Sequence, residues 1–159
     1  MKLERNAVTS FWYAHAEMVL QAQAKPIKHL AFKLDTGARV TTVPHQLLIA
    51  NGITQEKIQQ ATKARLTVAD GRRIPNSYIL RVAEIRILGK IFRNFEIATS
   101  LSANLGCLLG QNILECFDWE LNYSAGLAIA KYRQNFIPQS VSAYSKAVDD
   151  LDMDGEAHT

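Results

Sequence analysis

The sequence has few of the residues that build metal centres and disulfide frameworks. Only two cysteines, Cys107 and Cys116, occur among 159 residues, and no Cys-x-x-Cys pair is present. The four histidines show no metal-ligand spacing, either among themselves or with the cysteines. We therefore expect reduced, mostly buried thiols rather than a disulfide, and neither a metal nor another cofactor.

Long hydrophobic runs are also lacking. The longest apolar stretch starts at Ile74 and is interrupted by Pro75 and by later polar residues. It falls short of the roughly 20 continuous apolar residues that a membrane span needs. The N-terminal segment mixes both signs of charge and has no apolar core of the signal-peptide kind. These features predict a cytoplasmic protein without a membrane partner.

Charge is spread unevenly along the chain, which has a net charge of +3. Residues 134–159 carry one Lys against five carboxylates, a net charge of -4, which leaves +7 for residues 1–133. No Lys/Arg cluster is interleaved with aromatic residues, so we expect no nucleic-acid partner. We interpret this uneven charge distribution as serving solvation, with some preference for acidic partners. It also motivates the hypothesis that the acidic segment folds onto the basic body and restrains its activity.

The distribution of periodic segments predicts one folded domain over residues 1–133, followed by a flexible acidic tail over residues 134–159. Short alternating stretches predict strands at residues 12–24, 27–34, 39–43, 65–69, 74–88 and 91–97, with a closing hairpin over 118–132. Two short helices are predicted, one after Pro44 and one over residues 111–117. The absence of long helices argues against a parallel βαβ sheet and indicates a mainly β fold.

One short motif carries candidate catalytic chemistry. Asp35 follows the predicted strand 27–34 and precedes Thr36 and Gly37. A strand end fixes the carboxylate, glycine lets two backbones approach closely, and the Thr hydroxyl can bond backbone across that contact. By itself this tripeptide is also ordinary turn chemistry, so the motif alone does not decide between the two interpretations.

The order of the other motifs extends this pattern. The motif continues as Asp35-Thr36-Gly37-Ala38, then the apolar segment 40–43, a hairpin at Asp70-Gly71, and Leu108-Leu109-Gly110 before a short helix. Across residues 27–132 this arrangement resembles the retropepsins, and in particular the bacterial retroviral-like aspartic proteases. The resemblance implies a small closed β-barrel with one or two short helices, active as a homodimer.

The resemblance also implies roles for individual residues. Asp35 would be the catalytic carboxylate, Thr36 would join two catalytic loops across the dimer axis, and Gly37 would accept from the substrate backbone. Substrate contacts would come from the floor and from a flap tip: Ala38, Arg39, Ala69, Asp70 and Gly71. Leu108, Leu109 and Gly110 would pack beneath the Asp35 loop and support it.

A single Asp-Thr-Gly motif, without an internal repeat, means that one chain supplies only one carboxylate. Peptide hydrolysis by paired acids needs two carboxyl groups close together, one ionised and one protonated. Two Asp35 side chains from two subunits would meet this need. We therefore expect an aspartic endopeptidase acting on peptide or protein substrates. The alternative is a catalytically silent dimer of the same fold that binds peptides or serves as a scaffold.

Two residues depart from the pattern of this family. Arg39 stands where a small or acidic residue is often found, and Gln111 replaces a common Arg after the apolar-apolar-Gly motif. A bracing Arg–carboxylate pair seen in some retropepsin dimers is therefore missing or rewired. The string Asp-Thr-Gly-Ala-Arg also occurs in a bacterial branch of the fold described as zinc proteases. The sequence offers no His/Cys ligand set near the motif, which favours the aspartic interpretation.

Overall fold

The computed structural model describes residues 1–7, 9–67 and 71–133. The predicted flap-tip residues Ala69 and Asp70, and the predicted tail 134–159, lie outside the described residues. The described residues form nine strands and three helices. In chain order these are β1 Lys2–Glu4, β2 Tyr13–Val19, β3 Ile27–Leu34, α1 His45–Ala50, α2 Gln55–Gln59, β4 Thr62–Thr67, β5 Arg73–Ile87, β6 Lys90–Ser100, β7 Leu108–Leu109, α3 Gln111–Leu114, β8 Phe117–Asn122 and β9 Leu127–Tyr132. The predicted mainly β class is confirmed, with three short helices among the described residues where one or two were predicted.

The strands pair into two sheets. The smaller sheet has the order β1-β9-β8, and the larger has the order β4-β5-β2-β3-β7, with β6 paired to β5. The 15-residue strand β5 organises the larger sheet, because its first part pairs with β4 and its last residues pair with β2. Strand β6 runs beside it from Ser77 to Ile87. The short strand β7 pairs with β3 in parallel and so reaches the residue that precedes Asp35.

The predicted closed barrel is not found among the described residues, and the predicted strand over residues 39–43 is wrong. Thr42 lies between β6 and β7 and forms isolated β-bridges to Ala98 and to Leu108. Thr42 exchanges backbone hydrogen bonds with Leu108 at 2.9 and 3.1 Å, while Val43 donates to the Ala98 carbonyl at 3.0 Å. Because neighbouring residues bond to different strands, no continuous ladder forms there, despite the β-branched side chains.

The main core joins buried residues of the larger sheet, the smaller sheet and the three helices. Alternating residues of β2 are buried, as period-2 alternation predicts, and Met18 is fully buried among them. Phe32 of β3 and Ile85 of β5 are also fully buried. Leu48, Ile58 and Ile113 bring α1, α2 and α3 into the same cluster, which therefore fixes the end of β3 that leads to Asp35. The largest fully buried side chains of this cluster are those of Phe32, Met18, Leu48, Ile58, Ile85, Ile97, Leu109 and Ile113.

The helices are short. Helix α1 begins after Pro44 and ends at Asn51-Gly52, as predicted, with Gly52 at a φ of +98°. Helix α2 was not predicted, although Thr54 caps it by accepting a hydrogen bond from the Lys57 N–H at 3.2 Å. Within the described part of the chain, no helix has the length and apolar character needed to cross a membrane.

Both cysteines are free thiols, as predicted. Burial raises the pKa of the Cys107 thiol to about 11. Burial also raises the pKa of Cys116, where the neighbouring Glu115 adds to the effect and Arg133 opposes it. Because the thiolate is the reactive form, both side chains are packing groups at neutral pH.

Replacing Phe32 by Ala tests whether this core supports the strand that carries Asp35. We expect a loss of about 3–5 kcal/mol in the free energy of unfolding, since the fully buried ring leaves a cavity. Phe11→Ala is the matched control, because the Phe11 ring is 48% exposed, and its cost should be about 1 kcal/mol or less. Urea unfolding measures both. Equal losses would place the supporting core elsewhere.

Candidate active site

Asp35 stands at the end of β3, between two backbone neighbours. Its N–H donates to the Leu109 carbonyl at 3.1 Å, continuing the parallel pairing of β3 with β7. On the other side, the Leu34 N–H donates to the Trp12 carbonyl at 3.0 Å. Asp35 itself is half-buried. The sheet therefore fixes the backbone of this half-buried residue.

The residues after Asp35 form a tight turn around its carboxylate. The Gly37 N–H donates to Asp35 Oδ1 at 3.0 Å, and the Ala38 N–H donates to the Asp35 carbonyl at 3.1 Å. A Cβ added at Gly37 would lie 3.3 Å from Asp35 Oδ1, which is a tight contact. Thr36 is exposed, and its hydroxyl finds no hydrogen-bond partner among the residues that the structure describes. The turn thus binds one carboxylate oxygen and presents Thr36 outward.

Gly110 brings a second backbone segment against this turn. A Cβ at Gly110 would lie 2.5 Å from the Val40 carbonyl carbon and 2.7 Å from the Thr41 nitrogen. Side chains do not approach backbone so closely, so only glycine fits this position. Here the glycine is needed for close approach and not for an unusual backbone angle.

The first residues of α3 bind the turn directly. The Gln111 and Asn112 N–H groups donate to the carbonyls of Ala38 and Arg39, at 2.8 and 3.2 Å. These N–H groups have no partner within a helix at its first turn, so the turn supplies their acceptors. The Gln111 side chain adds a third bond, from Nε2 to the Thr36 carbonyl at 2.6 Å. Arg39, which contributes the second carbonyl, is itself exposed.

A buried polar network lies beneath the turn, and none of the sequence motifs predicted it. Asn112 Oδ1 accepts from the Thr41 N–H at 3.0 Å and from the Thr41 hydroxyl at 2.8 Å. The same hydroxyl oxygen accepts from the Gly110 N–H at 3.1 Å, and Asn112 Nδ2 donates to the Glu96 carbonyl at 3.3 Å. A signal was present, since Gln111 and Asn112 are polar residues between the apolar pairs Leu108-Leu109 and Ile113-Leu114. A buried side-chain amide requires hydrogen-bond partners, and a hydroxyl from a residue distant in sequence can be one of them.

The β4–β5 hairpin contacts the segment that follows the turn. Val40 packs with Ala64, Ile79 and Ala98 in a second small core, against which Leu66 also rests. Gly71, the one predicted flap-tip residue within the described residues, has a φ of +88°, which suits a turn.

Of the predicted site residues, the structure brings together Asp35, Leu109 and Gly110. The assigned roles of these residues, and those of Ala38, Arg39 and the flap tip, stay predictions.

The described residues hold no group of three or more His, Cys, Asp or Glu side chains that could bind a metal ion. Chemically, the site offers a partly exposed carboxylate with one oxygen bound by a backbone N–H. It also offers exposed backbone on the turn itself. Such a group can act on a proton or a water, provided that a second acid is near.

The chain resembles known proteins both in sequence and in fold. The family described as "gag-polyprotein putative aspartyl protease" matches residues 25–116, which include the Asp35 turn and Gly110. Among solved structures, the chain is similar to a retropepsin-like aspartic protease from Rickettsia conorii, with a TM-score of 0.61. The two are 22% identical, and the similarity covers 83% of this chain and 89% of that one. No curated protein sequence matches this chain.

Gly110→Ala tests the close backbone approach. The added methyl group would overlap the Val40 and Thr41 backbone, so we expect a loss of about 3 kcal/mol or more in unfolding free energy. Gly106→Ala is the matched control, because a Cβ there meets nothing within 4 Å, and its effect should stay within about 0.5 kcal/mol. Chemical denaturation measures both. Similar values for the two variants would contradict the proposed contact.

A double-mutant cycle between Thr41→Val and Asn112→Leu tests the buried network. Each single change removes the bond from the Thr41 hydroxyl to Asn112 Oδ1, whereas the bonds that each side chain makes to backbone are lost equally in both backgrounds and cancel in the cycle. We expect a coupling energy of about 1–3 kcal/mol in unfolding experiments. Thr41→Ser keeps the hydroxyl and serves as the control with a much smaller coupling. Additive single effects would show that the two side chains do not stabilise each other.

Proposed function

Because the chain belongs to the retropepsin-like family of gag-polyprotein aspartyl proteases, we propose that it is an aspartic endopeptidase and that its active form is a homodimer. In this proposal each subunit contributes one Asp35 carboxylate to a shared catalytic pair. The observation that carries it is the placement of Asp35, which stands at a strand end, half-buried, with Gly37 N–H bound to one carboxylate oxygen. The domain that we propose to act in this way comprises residues 1–133.

The proposed reaction uses the two carboxyl groups in different protonation states. Two carboxylates within hydrogen-bonding distance do not both ionise readily, so the pair retains one proton. The ionised member takes a proton from a water molecule held between the two acids, and that water attacks the peptide carbonyl. The protonated member donates to the carbonyl oxygen as the tetrahedral intermediate forms. Titration then belongs to the pair and not to either residue.

The exposed side of the Asp35 turn supports the proposed dimer. The single Asp-Thr-Gly motif gives each chain one such carboxylate, so the second must come from another copy. Thr36 is exposed beside Asp35, and its hydroxyl has no acceptor among the described residues of its own chain. A second turn across a twofold axis would supply that acceptor. A hydroxyl without a partner is a weak stabiliser of one chain but a suitable contact between two.

The backbone of the turn also supports a peptide substrate. The carbonyls of Thr36, Ala38 and Arg39 accept hydrogen bonds from α3, as described above. The Gly37 carbonyl accepts none from the described residues, so it is open to an N–H group of a bound peptide. We propose that an extended peptide lies between this turn and the β4–β5 hairpin, as an added strand would. Ala69, Asp70 and Gly71 would then close over it.

Asp35→Ala tests the proposed function. We expect the purified full-length chain to cleave members of a peptide library at mildly acidic pH, and the variant to lose activity by about a thousandfold or more. Asp118→Ala is the matched control, because the Asp118 side chain is 77% exposed and lies outside the site. That variant should cleave as the wild type does.

Sedimentation equilibrium on all three proteins separates the possible outcomes. Cleavage by wild type and Asp118→Ala alone, with every protein dimeric, supports the shared pair. A wild-type protein that is dimeric yet inert toward every peptide would contradict the endopeptidase and leave a peptide-binding or scaffolding dimer. An active monomer would contradict the shared pair.

A further inference from the structure

Gln111 connects the turn that carries Asp35 to the helix behind it. Its side-chain Nε2 donates to the Thr36 carbonyl oxygen at 2.6 Å. That carbonyl belongs to the same peptide unit as the Gly37 N–H, which donates to Asp35 Oδ1 at 3.0 Å. The Gln111 amide, the peptide between residues 36 and 37, and the Asp35 carboxylate therefore form one continuous chain of hydrogen bonds.

A peptide unit is planar, so a bond at its oxygen also constrains the direction of its N–H. Donation to the carbonyl oxygen polarises the peptide as well, which strengthens the N–H as a donor. An N–H bonded to a carboxylate favours the ionised form of that carboxylate. Through one peptide unit, Gln111 can therefore act on the orientation of the Asp35 carboxylate.

We propose that Gln111 is a positioning residue for Asp35: it holds the peptide between residues 36 and 37 so that the Gly37 N–H points at the carboxylate. This inference rests on the proposed function, in which Asp35 is catalytic. It also gives a role to a departure noted in the sequence, where Gln111 stands in place of a common Arg. A neutral amide orients the peptide without adding a charge beside the acid pair.

The neighbouring charged groups are bonded elsewhere or exposed to solvent. Lys33, at the end of β3, lies over the Phe11 ring with its Nζ 4.4 Å from the centroid. Glu96 of β6 pairs with Arg81 at 2.9 Å, and Arg39 and Glu115 are exposed. These groups are unchanged in variants of Gln111. The Thr41–Asn112 network binds the following segment of chain and leaves the peptide between residues 36 and 37 to Gln111.

Two variants of Gln111 in the full-length chain test the proposal through the pH profile of kcat/KM. Gln111→Met keeps the length and removes the donor. We expect kcat/KM to fall by roughly two- to tenfold, the scale of one hydrogen bond. The acid limb should also move to higher pH, because a carboxyl that loses a donor keeps its proton to a higher pH.

Gln111→Glu gives the opposite test in the same position. Below its ordinary pKa of about 4.3, a protonated Glu can donate to the Thr36 carbonyl as the amide does. Activity relative to wild type should therefore be near normal at the acid end and fall as this Glu ionises. Gln46→Met and Gln46→Glu, at an exposed position of α1, are the matched controls and should follow the wild-type profile.

The outcomes are distinct. Suppose that Gln111→Met lowers kcat/KM at every pH without moving the acid limb, and that Gln111→Glu gives the same profile as Gln111→Met. Gln111 then serves packing alone, and the proposal is overturned. Carbon-13 NMR of the Asp35 carboxyl, in the full-length protein without substrate, gives a readout that needs no cleavage. If the wild type cuts no peptide, the proposed function fails by itself. The proposal for Gln111 then stands if Gln111→Met displaces this titration, and falls if it does not.

Discussion

The approach of the Gly110 backbone to Val40 and Thr41 sets the distance on which the rest of the site depends. At this contact no Cβ can be accommodated, because it would lie 2.5 Å from a backbone carbon. Hydrogen bonds weaken steeply with distance and angle, so a shift of a few tenths of an ångström here would be felt by every bond around it. Those bonds include the two from the α3 backbone to the turn and the one from the Gly110 N–H to Thr41.

This constraint explains why a carboxylate on a short turn can be held without a large local core. The turn has few apolar side chains of its own, and Thr36 and Gly37 are exposed. Its position comes instead from backbone bonds on three sides, made by β7, by α3 and by the turn itself. Such bonds are directional, so they orient a group as well as hold it. The main core contributes by fixing β3, which leads to Asp35, and α3, which binds the turn.

The buried pair of Thr41 and Asn112 illustrates how the structure avoids an electrostatic penalty next to this site. Buried polar groups cost free energy when they lack hydrogen-bond partners. Here the Thr41 hydroxyl and N–H both donate to Asn112 Oδ1, and Asn112 Nδ2 donates to the Glu96 carbonyl. A satisfied network also has few alternative arrangements. It therefore keeps the segment after the turn in one position relative to α3, which apolar packing alone specifies less sharply. The outward groups of the turn are the ones that the proposed dimer and the proposed peptide complex would use.

Local patterns in the sequence determined a large part of this fold. The strand Ile27–Leu34, the turn at Asp35, the helix after Pro44 and the closing hairpin follow from alternation, turn residues and caps, which act between near neighbours. The order of the motifs likewise identified Asp35 and the Leu108-Leu109-Gly110 segment as candidates. Residues 39–43 looked like a strand for the same local reason, and that prediction was wrong.

Only the tertiary structure decided where the bonds of residues 39–43 go, because their partners in β6, β7 and α3 are distant in sequence. The same holds for the arrangement of the strands in two sheets, for the partnership of Thr41 with Asn112, and for the bond from Gln111 to Thr36. Residue type states that a side chain can donate or accept, and local pattern states which backbone it prefers. Which group it meets depends on the packing of the whole chain, since hydrogen bonds form only between atoms that packing has already brought within about 3 Å.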